Sequence, residues 1–262
     1  MKKIFIGVLI FICMTCAGCF EGESHLIITD GGAVVMKNKL IGNLLVAEQI
    51  DSARKNFAAS HPTADIFPIA ENNMSGWEIR MNYPSLEAFA ADGISLYAAH
   101  KNKCKGIRLK RNWFFDACNF DLISAGEEKF SPSEVSALQS MLSQVSFDLI
   151  IELPYAAESH NADKFDSAQK VLTWHLAASL IGGGEKHMRV QFRIWHWDKI
   201  FVTLAVELLL IAGGIFFHVK RNSDSDENIL AAVIFRRNVF AGLSIALAII
   251  SAYMILAPVK FS

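Results

Sequence analysis

The hydrophobic positions of this chain form three long apolar runs, separated by a central region in which apolar and polar residues alternate. The first run, residues 4–14, follows a short positive stretch. The other two, residues 200–217 and 239–258, reach the ~18 to 20 residues at which a helix crosses a bilayer. We therefore predict transmembrane helices over residues 200–218 and 239–258.

The segment between these two helices, residues 219–238, carries basic residues beside both helix ends. They are Lys220, Arg221, Arg236 and Arg237. An excess of Lys and Arg marks the cytoplasmic side of a membrane. The segment is therefore predicted to be a cytoplasmic loop. The rest of the chain before the first helix, and the tail 259–262, are then predicted to lie on the outer side of a bacterial cytoplasmic membrane.

The N-terminal run has the order of a secretory signal: a positive start, an apolar core and small residues. It ends in Ala17-Gly18-Cys19, which resembles a bacterial lipobox, where the cysteine receives a diacylglycerol and becomes the mature N-terminus. We predict a signal peptide over residues 1–18 and lipidation, with palmitate among the acyl chains, at Cys19. The alternative is an uncleaved helix with incidental cysteines. A diacyl group together with two helices would attach the protein firmly.

The central region, residues 19–199, mixes helical and strand periodicities. Strands are predicted over residues 24–30, 33–39, 63–70, 77–83, 106–110, 113–123, 147–153, 170–178 and 186–197. Gly31-Gly32 is predicted to form the turn between the first two strands. Alternation places Trp77, Ile79, Met81 and Tyr83 on one face, and Trp174 is expected in the core of the sheet. One helix follows the stripe Val46, Ile50, Ala53 and Phe57, a short one covers residues 84–91, and another begins at Ser131 with a capping box. The predicted fold class is α+β: a curved antiparallel sheet with two main helices, of helix-grip type, which can hold an elongated apolar ligand.

Two of the five cysteines, Cys104 and Cys118, lie beyond the signal region. An even pair in an exported domain is compatible with a disulfide. A tight turn near residues 111–112 is predicted to join two strands. One of several registers, which sets Gly106 opposite Asp116, would place Cys104 opposite Cys118, close enough for a bridge.

A basic run precedes an aromatic run in the same segment. Its members are Lys101, Lys103, Lys105, Arg108, Lys110 and Arg111, and Trp113, Phe114 and Phe115 follow. Near a membrane this patch could bind anionic headgroups, at about 1 kcal/mol for each basic residue. The alternative is a solvated strand edge whose lysines discourage edge pairing. Nucleic acid is not an expected partner of an exported domain.

The residues offer little candidate chemistry. There is no nucleophile elbow, phosphate loop or metal-binding spacing, so we expect no catalytic residue, metal or cofactor. Glu207 is the only charge in the first apolar span. An intramembrane carboxylate often serves in a proton relay or in helix pairing. The alternative is a protonated side chain facing the second helix, with Ser244 and Ser251 as hydrogen-bond partners.

Two segments resemble the LppM-type family of bacterial envelope lipoproteins. Residues 107–122, IRLKRNWFFDACNFDL, are similar to the family's basic and aromatic strand pair. Asn161-Ala162 followed by residues 170–176, KVLTWHL, is similar to its late segment, where an Asn-Ala pair precedes a strand with Thr-Trp. The resemblance implies a lipid-transfer-like fold and a lipid-binding or envelope-associated module. The second transmembrane helix and Cys118 depart from the family's pattern.

These observations favour a non-enzymatic envelope lipoprotein whose exported domain binds a lipid, glycolipid or similar amphiphile. The alternative hypothesis is an envelope assembly or scaffold protein that recruits a protein partner through its exported domain or its helix pair. A continuous apolar cavity between sheet and helix would favour the first hypothesis. A filled core with an exposed apolar patch would favour the second.

Overall fold

The computed structural model describes most of the folded region and both long C-terminal helices. The described residues are 20–60, 62, 64–71, 74–92, 106–124, 145–168, 170–180, 185–221 and 227–259. Several predicted features lie outside them: Cys19, Cys104, the helix from Ser131, and the first three lysines of the basic run, Lys101, Lys103 and Lys105. The chain divides into two compact units.

The first unit comprises the described residues up to Leu109 together with Cys118–Ile194, and we call it the sheet unit. The strands, some of which extend past its limits, are β1 Phe20–Ile28, β2 Val34–Gly42, β3 Asp65–Glu71, β4 Met74–Tyr83, β5 Ile107–Arg111, β6 Phe115–Ser124, β7 Val145–Glu152, β8 Ser159–His160, β9 Lys164–Asp166, β10 Val171–His175 and β11 Lys186–Trp195. Its helices are α1 Ala47–Ser60, preceded by the 3₁₀ turn Leu44–Val46, then α2 Leu86–Asp92 and α3 Ala177–Leu180.

The strands form two sheets. Seven strands are ordered β3-β4-β2-β1-β7-β10-β9, and four are ordered β5-β6-β11-β8. β1 pairs with β7 in parallel, whereas its other neighbour, β2, is antiparallel. The α+β fold class is confirmed, and the structure adds a second sheet and a parallel pair to the predicted antiparallel sheet.

The first hairpin follows the predicted glycine turn. The backbone N–H of Gly32 donates to the Thr29 carbonyl at 3.0 Å, and the Ala33 N–H donates to the Thr29 hydroxyl at 3.0 Å. Gly32 has φ of +80°, a conformation that residues with a Cβ rarely adopt. The Gly31-Gly32 pair therefore closes the turn between β1 and β2 as the sequence predicts.

The core of the sheet unit is built from the alternating apolar positions of its strands. Trp77, Ile79 and Met81 of β4 are buried as predicted, and α1 buries Ile50 and Phe57 against them. Strand alternation places every second side chain on one face, so a single register decides which residues are inside. Trp174 of β10 is fully buried in the same cluster, as expected for a core residue.

The predicted register of the β5–β6 hairpin was wrong. The Asp121 N–H donates to the Gly106 carbonyl at 2.8 Å, whereas the predicted register set Gly106 opposite Asp116. The Asn112 N–H donates to the Phe115 carbonyl at 2.8 Å, so the turn consists of Trp113 and Phe114. The structure begins β6 later than predicted, because Trp113 and Phe114 form the turn. Cys118 is buried on β6, and its predicted disulfide to Cys104 stays a prediction.

Two other strands are shorter than predicted. β10 ends at His175, and α3 occupies residues predicted to be extended. The Ser179 hydroxyl donates to the Leu176 carbonyl at 2.9 Å, which closes that turn. β11 ends at Trp195, because the first apolar helix already begins at Trp197.

The second unit, which we call the helix unit, comprises Lys110–Ala117 and the described residues from Trp195 onward. Its helices are α4 Trp197–Arg221 and α5 Glu227–Leu256. α5 begins well before the predicted span, so part of the predicted loop is helical. The two helices approach closely at Gly213, where an added Cβ would lie 2.8 Å from the Phe240 ring. Ser244 of α5 donates a hydrogen bond to Glu207 of α4, one of the two partners considered from the sequence.

Candidate functional site

A groove of about 730 Å³ lies between α1 and one edge of the seven-stranded sheet. Its walls are Ala47, Ile50, Asp51 and Arg54 of α1, Ile66, Pro68, Ile69 and Ala70 of β3, and Ser75, Gly76 and Trp77 of β4. The lining is predominantly apolar, and the volume falls in the ~300–1,000 Å³ range of small-molecule sites. The groove therefore has the size and character to hold the apolar part of a ligand.

Trp77 holds α1 against the sheet at the base of this groove. Its indole Nε1–H donates to the backbone carbonyl of Ile50 at 2.9 Å, and its ring centroid lies 6.5 Å from that of Phe57. Trp77 is 5% exposed, so its N–H needs a partner within the protein. One side chain thus fixes the distance between helix and sheet, and with it the width of the groove.

Charged residues stand on the α1 side of the groove. Arg54 donates to Asp51 from Nε at 2.9 Å and from a terminal nitrogen at 2.7 Å, and Lys55 lies 2.8 Å from the same carboxylate. Hydrogen bonds from Lys55 and then Arg54 lower the pKa of Asp51 below its ordinary value. The carboxylate therefore stays ionised beside two cations. The groove therefore has an apolar interior and charged side chains along its α1 side.

The opposite wall, β3, is the edge strand at this end of the seven-stranded sheet. It is paired to β4 along its length and anchored at its end by Glu71, which lies 2.6 Å from the Lys39 ammonium of β2. The hydrogen bond to Glu71 raises the pKa of Lys39, so the lysine stays charged. Phe67, 45% exposed, lies beneath the Arg80 guanidinium, 5.1 Å from its ring centroid.

The groove was only partly foreseen from the sequence. The apolar stripe of α1 and the alternation of β4 were predicted, and they supply Ile50 and Trp77. The contribution of β3 was missed, because periodicity does not say which strand is an edge. Its mixture of exposed apolar residues with Pro68 was the available signal, since proline in a sheet is confined to edges and bulges.

A second candidate site lies in the helix unit, at the turn between β5 and β6. We call residues 112–115 the hairpin tip. Phe114 and Phe115 are buried there, 3% and 1% exposed, against residues of α4, α5 and the end of β11. The apolar neighbours are Trp195, Ile200, Met254, Ile255 and Val259. The hairpin tip is thus packed on the beginning of α4 and the end of α5.

Hydrogen bonds hold the hairpin tip in this position. The Asn112 amide donates to the Met254 carbonyl at 3.0 Å, and the His196 N–H donates to the Phe114 carbonyl at 2.8 Å. The last carbonyls of a helix have no partner within the helix, so the Asn112 amide satisfies one of them. His196 also lies 3.2 Å from the Asp116 carboxylate. Asn112 and His196 were not singled out from the sequence.

The described part of the basic run lies on β5, at its junction with the hairpin tip. Arg108, Lys110 and Arg111 are exposed there. Of the aromatic run, only Trp113 is exposed, at 51%, whereas both phenylalanines are covered by the helix pair. The predicted patch is therefore divided: its three described cations are exposed, and two of its three aromatic residues are structural.

The two parts of the late segment in the family resemblance, Asn161-Ala162 and residues 170–176, contact each other. Trp174 donates from its indole Nε1 to the Asn161 amide oxygen at 3.0 Å, and the Arg189 N–H donates to that same oxygen at 2.7 Å. The Asn161 amide nitrogen donates to the His187 carbonyl at 2.8 Å. Asn161 therefore joins β10 of the seven-stranded sheet to β11 of the four-stranded sheet.

Both long helices meet the length and composition required to cross a membrane. The qualifying segments are Trp197–Lys220 and Leu230–Leu256, of 24 and 27 residues, and neither is buried within the protein. Large apolar side chains project from them, with Leu209 71% and Phe216 62% exposed. Unburied apolar helices of this length mark a membrane-associated protein.

Comparisons with known proteins leave the family open. No protein-family model matches the chain, and no curated protein matches it. Among solved structures it is similar to the folded domain of LppM from Mycobacterium tuberculosis, determined by NMR, with 12% identity and a TM-score of 0.40. The likeness covers 70% of this chain and 94% of that domain. It is a distant likeness of fold and assigns neither a family nor a ligand.

Proposed function

We propose that this protein is a non-enzymatic lipoprotein of the bacterial envelope that binds a lipid, glycolipid or similar amphiphile in the groove between α1 and β3. The observation that carries the proposal is the groove itself, an apolar space of about 730 Å³ with charged residues on one side. An acyl or isoprenoid chain would occupy the apolar interior. Its polar end would remain near Arg54 and Asp51, where water and charge are available.

The membrane arrangement in this proposal has three parts. The segment 1–18 directs export, Cys19 carries a diacylglycerol, and the two apolar helices retain the chain in the cytoplasmic membrane. The basic residues beside the helix ends that face away from the hairpin tip support an outer location for the folded region, because Lys and Arg accumulate on the cytoplasmic side. Cys19→Ala should abolish incorporation of labelled palmitate, with Cys16→Ala as the control.

The binding function is tested by the lipids that accompany the purified protein. Full-length protein would be extracted from its native membrane and its lipids identified by mass spectrometry, with the isolated helix pair as background. We expect one lipid class to be enriched over that background. Ala47→Phe should reduce this enrichment several-fold because its ring fills the groove, whereas Ala59→Phe, exposed on the same helix and outside the groove, should not. Equal lipid enrichment in the two variants would show that the lipid does not bind in the groove.

A scaffold function is the second candidate, and one observation favours it. β3 ends the seven-stranded sheet with a 45% exposed Phe67, and an extended segment of another protein could pair with such an edge. Crosslinking in intact membranes followed by mass spectrometry separates the two functions. If one protein is crosslinked at β3 and no lipid is enriched above the background, partner recruitment becomes the supported function and amphiphile binding is rejected.

A further inference from the structure

The surroundings of the hairpin tip carry an inference that does not depend on the groove. Three large aromatic side chains are exposed at the end of the helix pair where the tip is packed. Trp113 of the tip and Trp197 of α4 are each 51% exposed, and Tyr253 of α5 is 74% exposed. Tryptophan and tyrosine accumulate where a bilayer meets water, because their rings are apolar and their N–H or O–H groups are polar. This grouping is typical of a membrane interface.

The contact between Trp113 and α4 places the hairpin tip at a definite depth. The Trp113 indole N–H donates to the Thr203 hydroxyl at 3.3 Å. Thr203 lies six residues into α4, or roughly 9 Å along the axis at 1.5 Å per residue. A helix of 24 residues, Trp197–Lys220, is roughly 36 Å long, against about 30 Å of hydrocarbon. With the helix centred on the bilayer, about 3 Å of it projects at each end, so Thr203 lies roughly 6 Å inside the hydrocarbon. The Trp113 indole, hydrogen-bonded to Thr203, is therefore on the acyl-chain side of the boundary with the headgroups.

Three cations belong to the surroundings of the hairpin tip, and one of them contacts Trp113. The Lys199 ammonium lies 5.4 Å from the Trp113 ring centroid. Lys110 and Arg111, both exposed, immediately precede the tip at the end of β5. Of the nearby carboxylates, Asp116 is engaged by His196, and Asp198 is exposed at the start of α4. The three cations exceed the acidic residues, so the local charge favours an anion.

We propose that the hairpin tip is inserted in the membrane interface and that Lys110, two residues before the tip, and Lys199, over Trp113, bind the phosphate of an anionic phospholipid of the same membrane. The buried Phe114 and Phe115 hold the tip on the helix pair, and Asn112 fixes it to the end of α5. The two lysine ammonium groups then meet a headgroup without a change in the fold. The ligand is distinguished from a neutral phospholipid by its net charge.

The test measures lipid preference next to the full-length protein. The chain would be reconstituted in phosphatidylcholine nanodiscs that contain spin-labelled phosphatidylglycerol or spin-labelled phosphatidylcholine, and the immobilised fraction of each label compared. We expect the wild-type protein to prefer phosphatidylglycerol by roughly fivefold, and Lys110→Gln with Lys199→Gln to bring that preference below about twofold. Lys110→Arg with Lys199→Arg should retain it, because charge and hydrogen-bond donors are kept.

A matched pair of substitutions distinguishes a site from overall charge. Lys37→Gln with Lys164→Gln removes the same charge from β2 and β9 of the sheet unit and should leave the preference unchanged. The proposal would be overturned if both double variants lost the preference for phosphatidylglycerol equally. It would also be overturned if Lys110→Gln with Lys199→Gln left that preference unchanged. Excess inorganic phosphate should not displace the labelled lipid. Displacement would assign these cations to a soluble phosphate ligand and would also overturn it.

Discussion

The sheet unit and the helix unit use the same apolar residue types in opposite ways. In the sheet unit Leu26, Met36 and Leu149 are 0% exposed, whereas Leu208 and Leu209 of the helix unit are 59% and 71% exposed. In water, burying such side chains is the main force that folds a domain. In a bilayer the lipid tails are as apolar as leucine, so exposure costs little and helices associate through close packing and polar contacts. The same residue type is therefore buried in one unit and exposed in the other, because the surrounding solvent differs.

Polar side chains join distant elements in both units. The sheet unit uses Asn161 to satisfy polar groups between its two sheets. In the helix unit Ser244 donates to Glu207, and Asn112 donates to a carbonyl at the end of α5. In each case one side chain joins elements that are distant in sequence. Substitutions in both units can therefore measure how much each type of contact contributes.

The largest difference is expected for leucine truncation. Leu149→Ala removes a fully buried side chain from β7 and should lower the free energy of unfolding by about 2–5 kcal/mol, because it leaves a cavity. Leu209→Ala, at a lipid-facing position, should change it by less than about 0.5 kcal/mol. Denaturant unfolding of the full chain in mild detergent, followed by near-ultraviolet circular dichroism, measures both. Similar losses would mean that Leu209 contacts protein rather than lipid.

A smaller effect is expected for Asn161→Ala. The substitution removes the acceptor of the buried Trp174 N–H and of the Arg189 N–H, which should lower the free energy of unfolding by about 1–3 kcal/mol. Asn82→Ala, at an exposed position of β4, is the matched control and should be nearly neutral. A neutral Asn161→Ala would show that water replaces the amide, and that the joint between the sheets contributes little.

In the helix unit, Ser244→Ala should weaken the association of α4 and α5 by about 0.6 kcal/mol, the average for a hydrogen bond between membrane helices. Ser251→Ala changes the other serine considered as a partner on the same helix and should have no effect. The measurement is the free energy of helix-pair separation in bicelles. Equal effects of the two substitutions would contradict a specific contact with Glu207.

The smallest effect concerns pH. Burial acts to raise the pKa of Asp163, but hydrogen bonds from Lys186 and from the His175 N–H outweigh it and lower the pKa below the ordinary value. A lowered pKa contributes stability at neutral pH that is lost as the pH falls through the folded-state pKa. Because both side chains are about one-third exposed, the contribution should be a few tenths of a kcal/mol.

Asp163→Asn isolates this contribution. The wild-type protein should lose stability more steeply than the variant below the ordinary pKa of aspartate, and the two should converge once Asp163 is protonated. Thermal midpoints measured from neutral to acidic pH give the comparison. Parallel curves across that range would contradict a lowered pKa.

Local pattern was sufficient for most elements of the fold. The glycine turn, the stripe of α1 and the alternation of β4 follow from periodicity and turn chemistry, which act over a few residues. The predicted register of β5 with β6 was wrong, because Trp113 and Phe114 form the turn. This turn is set by tertiary packing, since the hairpin tip packs on the beginning of α4 and the end of α5. No local signal reports that contact.

The sequence by itself determined the α+β class and the positions of the apolar helices. It also determined which residues share a face of each helix or strand. Those features depend on period and length, which a single chain carries. Only the tertiary structure decided that β3 is an edge, that Asn161 lies beside Trp174, and that Lys199 lies over Trp113. Each of these joins residues distant along the chain, and such contacts depend on sheet order and helix packing rather than on the residues near them.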